Sequence, residues 1–217
     1  MYIRKQHQLT DREAIFSLIE THALGAWVCQ VDGVLEANHI PFFLDRSQGA
    51  LGTLVGHVSR ANPAWRALAT GLPSVVLFQG PQSYITPGWY PGKAEHGKVV
   101  PTWNYVVAHV HGVARVRQER EWLLGMLERL AQVHESTQPV PWRVNDAPAH
   151  YIDKMLHAIV GIEIPIDRLV GKCKASQDED MADRVGTVVG LAQCPGDDAR
   201  AMAELVRWAI EDESGQG

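Results

Sequence analysis

Two short stretches of this chain combine residue types that bind anions and polar rings. The first is Gly56-His57-Val58-Ser59-Arg60-Ala61-Asn62-Pro63-Ala64-Trp65. Val58 closes an apolar run, Asn62 is a favoured N-cap residue, and Pro63 takes the first helical position, where a missing N–H costs least. The spacing reads as strand end, polar turn and helix start. The Ser59 hydroxyl, the Arg60 guanidinium and free N–H groups at a helix N-terminus make a phosphate site. The plain alternative is a solvated turn with a surface arginine. The second stretch is Glu36-Ala37-Asn38-His39-Ile40-Pro41-Phe42. Pro41 cannot donate to a ladder, so the strand ends, bulges or forms an edge there, which frees backbone polar groups for a ligand. The aromatics Trp89, Tyr90, Trp103 and Tyr105, with Lys93 and Asn104 among them, suit a flat ring held by stacking and edge hydrogen bonds. They suit a subunit interface equally well.

Other patterns fall short. Gly92-Lys93-Ala94-Glu95-His96-Gly97-Lys98 has the glycine and lysine spacing of a phosphate loop, but Val99 follows where a magnesium-binding Ser or Thr belongs. A nucleotide-triphosphatase is therefore rejected. What remains is a flexible glycine loop with exposed lysines, whose mobility would suit a lid. His109 and His111 share one face of a strand, and a zinc site there needs a third ligand such as His57 or His39. No carboxylate or thiol lies near enough in sequence to complete it, so no metal is expected. Nucleophile elbows, the dinucleotide fingerprint and a recognition helix are all missing. No catalytic residue is assigned, and whether the chain is an enzyme stays open.

Composition narrows the class. The chain has 217 residues, 46% of them hydrophobic, and a net charge of −5. That length makes one large domain, or a domain with an appendage, burying roughly 70% of its unfolded surface. The basic excess of a nucleic-acid binder is lacking. Cys29, Cys173 and Cys194 are far apart and odd in number, so they read as reduced thiols in a cytoplasmic protein. No apolar signal region opens the sequence, and no run approaches the roughly 18 apolar residues of a membrane span.

The elements that must position these residues follow from periodicity. Thr10-Asp11-Arg12-Glu13 reads as a capping box before a helix ending near Gly25. Runs at 26–31 and 34–44 are strands joined by Asp32-Gly33, a strong hairpin signal. Strands at 50–58 and 73–80 flank a short helix at 63–70, and residues 82–86 form a short further strand. A Pro- and Gly-rich loop covers 87–99 and a long strand covers 102–116. A helix at 120–134 carries Trp122, Leu123, Met126, Leu127, Leu130 and Val133 on one stripe. A polar connector leads to a helix at 147–157, then strands at 158–166 and 169–175, then helices at 178–191 and 198–213. Consecutive strands with short turns, decorated by helices, give an α+β, mainly β barrel of six to seven strands rather than an alternating sheet.

Taken together, Ala37–Phe42, Gly56–Pro63, Tyr84-Ile85-Thr86-Pro87-Gly88-Trp89-Tyr90, Val100-Pro101-Thr102-Trp103-Asn104-Tyr105 and Lys174-Ala175-Ser176-Gln177 resemble the PaiB-type, FMN-binding negative transcriptional regulators. The resemblance runs over about residues 1–210, with Thr86 where the family more often has Ser. It implies a single FMN-binding split β-barrel domain over 1–217 with peripheral helices: one N-terminal, and a helical appendage at about 177–214. It also implies a homodimer with FMN in clefts at the interface. Asn38, His39 and Ile40 would line the ring edge. His57, Ser59 and Arg60, with Asn62 capping the helix, would hold the phosphate. Trp103 and Asn104, with Lys93 nearby, would come from the facing strand or the partner. The implied role is repression through the flavin or ligand state, or through a partner. Direct DNA contact is supported by neither charge nor motif. Two alternatives stay open: an FMN-dependent oxidoreductase for a small planar substrate, and a split barrel that hosts haem through its histidines.

Overall fold

The computed structural model describes residues 1–67, 71 and 73–215, with backbone only for 213–215. In chain order the elements are β1 (Gln8–Leu9), α1 (Arg12–Thr21), β2 (Leu24–Val31), β3 (Val34–Pro41), β4 (Phe43–Asp45), β5 (Thr53–Ser59), α2 (Ala64–Ala67) and β6 (Pro73–Ile85). They continue with α3 (Gly92–Glu95), β7 (Thr102–Val113), β8 (Arg115–Arg117), α4 (Arg120–Glu135), α5 (Ala149–His157), β9 (Ile159–Pro165), β10 (Arg168–Lys174), α6 (Met181–Ala192) and α7 (Asp197–Gly215). The strands order as β1-β10-β7-β6-β2-β3 in one sheet and β4-β5-β9-β8 in a second. That makes ten strands among the described residues, where six to seven were expected. The extra ones are two- and three-residue pieces, β1, β4 and β8, too short to show a period of their own.

Several local expectations shift by a residue or two. The cap of α1 is Asp11, whose Oδ1 accepts from Glu13 N at 3.0 Å, rather than Thr10. A carboxylate there satisfies the same orphan donor and also meets the positive end of the helix. Asp32 and Gly33 both adopt positive φ, 50° and 84°, the conformation a two-residue hairpin turn demands. Pro41 ends β3, so the expected run at 34–44 divides into β3 and β4. β6 is continuous through Pro81, where two strands were expected. The end of the helix expected at 63–70 lies outside the described residues.

The chain forms two compact units, each with its own contacts. One comprises Phe16–Phe78 and His109–Val170. Its β2 pairs with β3 over Leu24–Val31 and with Leu77, Val76 and Val75 of β6, all antiparallel. Trp27, Phe42, Phe78, Leu54, Ile162 and Ile164 are fully buried in this unit, and Phe42 meets Phe78 edge-on at 6.2 Å. A second apolar layer joins Phe43 and Val55 to Leu123, Met126 and Leu130 of α4 and Leu156 of α5. Each such side chain contributes roughly 1.5–3 kcal/mol by leaving water. The stripe expected on α4 is realised except at Val133, which is 49% exposed.

The other unit comprises Met1–Ile15, Gln79–Ala108 and Gly171–Gly217. Gln8 and Leu9 pair with Lys172 and Gly171, and α6 packs on α7, with Leu191, Met202 and Val206 buried. The segment 87–95, expected to be a flexible loop, is held on α6. Gly92 N donates to Asp183 Oδ1 at 2.9 Å, and Trp89 lies against Gly186 and Gly190. No helix among the described residues is long and apolar enough to cross a membrane.

Candidate functional site

Seven of the ten residues singled out from sequence fall in the unit built on β2–β5. Alternation along β3 turns Asn38 and Ile40 to the inner face, where Ile40 is 3% exposed, and leaves His39 on the solvent face. The three therefore do not form one surface. Asn38 lies opposite Trp27 in the β2–β3 ladder. Its Oδ1 accepts from Asn62 Nδ2 at 2.7 Å, which ties the turn after β5 to β3. Its Nδ2 is enclosed and has no partner. Gly56 explains why these motifs occur together. A Cβ there would stand 2.9 Å from Pro41 O and 3.1 Å from the Phe42 ring, so β3 and β5 approach this closely only across a glycine.

His57 and Ser59 share the other face of β5, and His57 lies opposite Gly161. The turn beyond is closed by its own hydrogen bonds. Ser59 Oγ accepts from Ala61 N at 3.2 Å, and Asn62 Oδ1 accepts from Ala64 N at 2.9 Å, which is the N-cap its position promised. Arg60 reaches back across the unit. Nε donates to His157 O at 2.8 Å, Nη2 to Ile159 O at 2.9 Å, and Nη1 to Gln118 Oε1 at 2.7 Å. Three of its five N–H donors are thus engaged, two of them on carbonyls where α5 gives way to β9. The Ala64 N–H at the start of α2 is already taken by Asn62 Oδ1.

Burial holds the His57 imidazole below its ordinary pKa of 6.5, and its Nδ1 is enclosed without a partner. Above pH 6.5 the ring is neutral whether folded or unfolded. Below it, the unfolded chain takes up a proton that the folded ring resists, so stability falls as pH drops from 6.5 toward the depressed folded value. His57→Gln is therefore expected to flatten part of the decline in denaturant midpoint between about pH 7 and pH 5. An identical slope in the variant would sink this assignment. Burial also holds His7 and His111 low, so some slope remains.

The other three candidates lie in the second unit. Neighbours on a strand face opposite ways: Trp103 is 48% exposed and Asn104 is fully buried. Trp103 Nε1 donates to Gln82 Oε1 at 3.2 Å, and its ring meets Tyr84 edge-on at 6.0 Å. Asn104 Nδ2 donates to Ser176 Oγ at 2.8 Å while its Oδ1 stays unpartnered. Ser176 holds φ at 63°, and Gln177 locks the turn by donating to Cys173 O and accepting from Ala175 N. Lys93 is exposed on α3. Tyr90 is buried, which pushes its phenol up to about 12, so it acts as a neutral core residue.

Sequence reasoning missed Lys172. It is 9% exposed, and its Nζ donates to the Tyr105 hydroxyl at 2.6 Å. The available signal was a lysine inside the strand pattern Gly171-Lys172-Cys173-Lys174. Among the described residues no group of three or more His, Cys, Asp or Glu side chains could hold a metal ion. The Arg168 guanidinium sits 3.1 Å from His111 Nε2, a position that repels a second cation.

The family described as "Putative FMN-binding domain" matches residues 1–168. The chain belongs to this family. Within it the chain is of the PaiB type. It is 29% identical to Protease synthase and sporulation protein PAI 2 of Bacillus subtilis (strain 168), over 95% of this chain and 96% of that protein. It is 34% identical to Uncharacterized protein AN0679 of Emericella nidulans, over 95% and 96% of the two chains. Among solved structures it is similar to the FAD and Heme binding protein from Mycobacterium smegmatis. That likeness has a TM-score of 0.60 and 23% identity over 80% of this chain and 76% of that one. The fold is the flavin-binding split barrel, decorated by helices as the element order implied.

Proposed function

We propose that this PaiB-type chain binds FMN as a cytoplasmic homodimer and acts as a negative transcriptional regulator through the state of its flavin. The observation that carries the flavin assignment beyond family membership is the enclosed, unpartnered Nδ2 of Asn38 inside the family's own motif. A buried amide donor without an acceptor costs about 1–3 kcal/mol, and a flavin ring edge is rich in acceptors. The residues present therefore fit the group.

In this reading Asn38 donates to the ring edge and Ile40 supplies apolar surface beside it. His39, on the opposite face of β3, serves the subunit interface instead. Trp103 offers its exposed face to the partner subunit. Asn104 holds the 175–177 turn, and Lys93 carries its charge on α3. Ser59, Arg60 and Asn62 shape the turn, and His57 packs behind it. Bound flavin supplies hydride and one-electron chemistry, while the protein sets access and polarity around it. A net charge of −5 supports regulation through a ligand or partner more than through direct DNA contact.

The test is an absorbance spectrum of the purified protein after incubation with FMN and desalting. The two oxidised-flavin bands are expected to stay with the protein, and reduction by a nicotinamide is the next assay. A protein that returns colourless after reconstitution would refute the cofactor assignment.

A further inference from the structure

The apolar strand β9 carries a single charge, Glu163, between Ile162 and Ile164. Register sets Glu163 opposite Val55 of β5, and Val55 opposite Phe43 of β4, so these three side chains share one face of the sheet. Trp122, Gly125, Met126 and Arg129 of α4 fall on one helical stripe, spaced i, i+3, i+4 and i+7. Together these residues line an open cavity of about 200 Å³, with Phe43, Val55, Trp122 and Met126 as its apolar wall and Glu163 and Arg129 among its charged groups. All of them belong to one compact unit.

The helix leaves this space unfilled. Glycine inside a helix is less favourable than alanine, yet Gly125 borders the cavity, and a Cβ there would meet nothing within 4 Å. Trp122 is held down on β9 at Gly161, where a Cβ would stand 2.2 Å from the indole. Glu163 is 4% exposed. Its Oε2 accepts from Arg117 Nε at 3.0 Å and Nη2 at 2.7 Å, while its Oε1 accepts from none of the described residues. Arg129 Nη1 and Gln48 Nε2 both donate to Asp45 Oδ2, at 2.5 and 3.0 Å, which leaves Gln48 Oε1 as a second open acceptor on the lining.

A carboxylate oxygen without a donor, in a largely apolar cavity, is best completed by a cationic N–H group on a short hydrocarbon body. An apolar cavity of about 150 Å³ holds benzene, so about 200 Å³ holds roughly eight non-hydrogen atoms. We propose that this cavity binds a small primary amine with a compact apolar or aromatic body. The ammonium donates to Glu163 Oε1 and the body lies against Phe43, Val55, Trp122 and Met126. The site is independent of the flavin reading, since none of its residues is assigned to the flavin.

The experiment titrates the full chain, by ligand-observed NMR, with three probes of similar size: benzylamine, benzyl alcohol and benzoate. Benzylamine is expected to bind on the order of tenfold more tightly than benzyl alcohol, the worth of one charge-assisted hydrogen bond, and benzoate not measurably. Glu163→Gln is expected to erase the advantage of the amine while benzyl alcohol binds as before, which also shows that the variant is folded. Gly125→Leu keeps every charge and raises helix propensity, so it is expected to retain its circular dichroism and exclude all three probes. Should Glu163→Gln fail to fold, the selectivity of the wild type and its loss in Gly125→Leu decide the matter. Equal binding of amine and alcohol overturns the amine site, as does undiminished benzylamine binding in Gly125→Leu. A preference for benzoate overturns it too, by placing the selecting charge at Arg129, and so does a wild type that binds none of the probes.

Discussion

Gly186→Ala is expected to destabilise the protein by roughly 2–3 kcal/mol, although alanine is the better helix former by up to about 1 kcal/mol. A Cβ at 186 would lie 2.1 Å from Trp89 O, a backbone atom with no rotamer to escape into. One turn along α6, a Cβ at 190 would lie 2.2 Å from the Trp89 ring. The two glycines are the seat on which Trp89 rests, and Gly92 N donating to Asp183 Oδ1 pins the next turn of the same segment. Gly190→Leu should therefore expel the indole and loosen residues 87–95. Inside α4 the situation is the opposite. A Cβ at Gly125 would meet nothing within 4 Å, so Gly125→Ala should stabilise by about 0.5–1 kcal/mol. Denaturant midpoints of the three variants check this. If Gly186→Ala behaves like Gly125→Ala, Trp89 is not seated as described.

Arg60→Ala should lose roughly 2–3 kcal/mol of stability while leaving the ratio of FMN to riboflavin affinity unchanged. The variant strips the acceptors His157 O, Ile159 O and Gln118 Oε1 of one planar donor, and two of these are carbonyls at the α5–β9 junction. Arg60→Lys should recover little, because a single ammonium cannot span three acceptors held in a fork. The measurement pairs unfolding midpoints with flavin titrations. A stable variant that has selectively lost FMN would instead place the phosphate at the turn.

Much of the architecture was legible because it is local. β-rich runs mark β2 and β3, near-continuous apolar runs mark β5 and β9, and Asp32-Gly33 announces its hairpin through the positive φ that both residues adopt. The apolar stripe of α4 names the helix face that covers Phe43 and Val55. The motifs of the site were legible too, but not the side each residue serves. Asn38 and His39, like Trp103 and Asn104, are adjacent in sequence and opposed on their strands. What the chain by itself determined is therefore the strand and helix order, the turns, and the family to which the motifs belong, since each depends on residues a few positions apart. Only the tertiary structure decided that Arg60 caps a helix ending 97 residues later, that Trp89 rests on α6, and that Lys172 is buried against Tyr105. Those partners are set by packing between elements distant in sequence, which no local periodicity encodes.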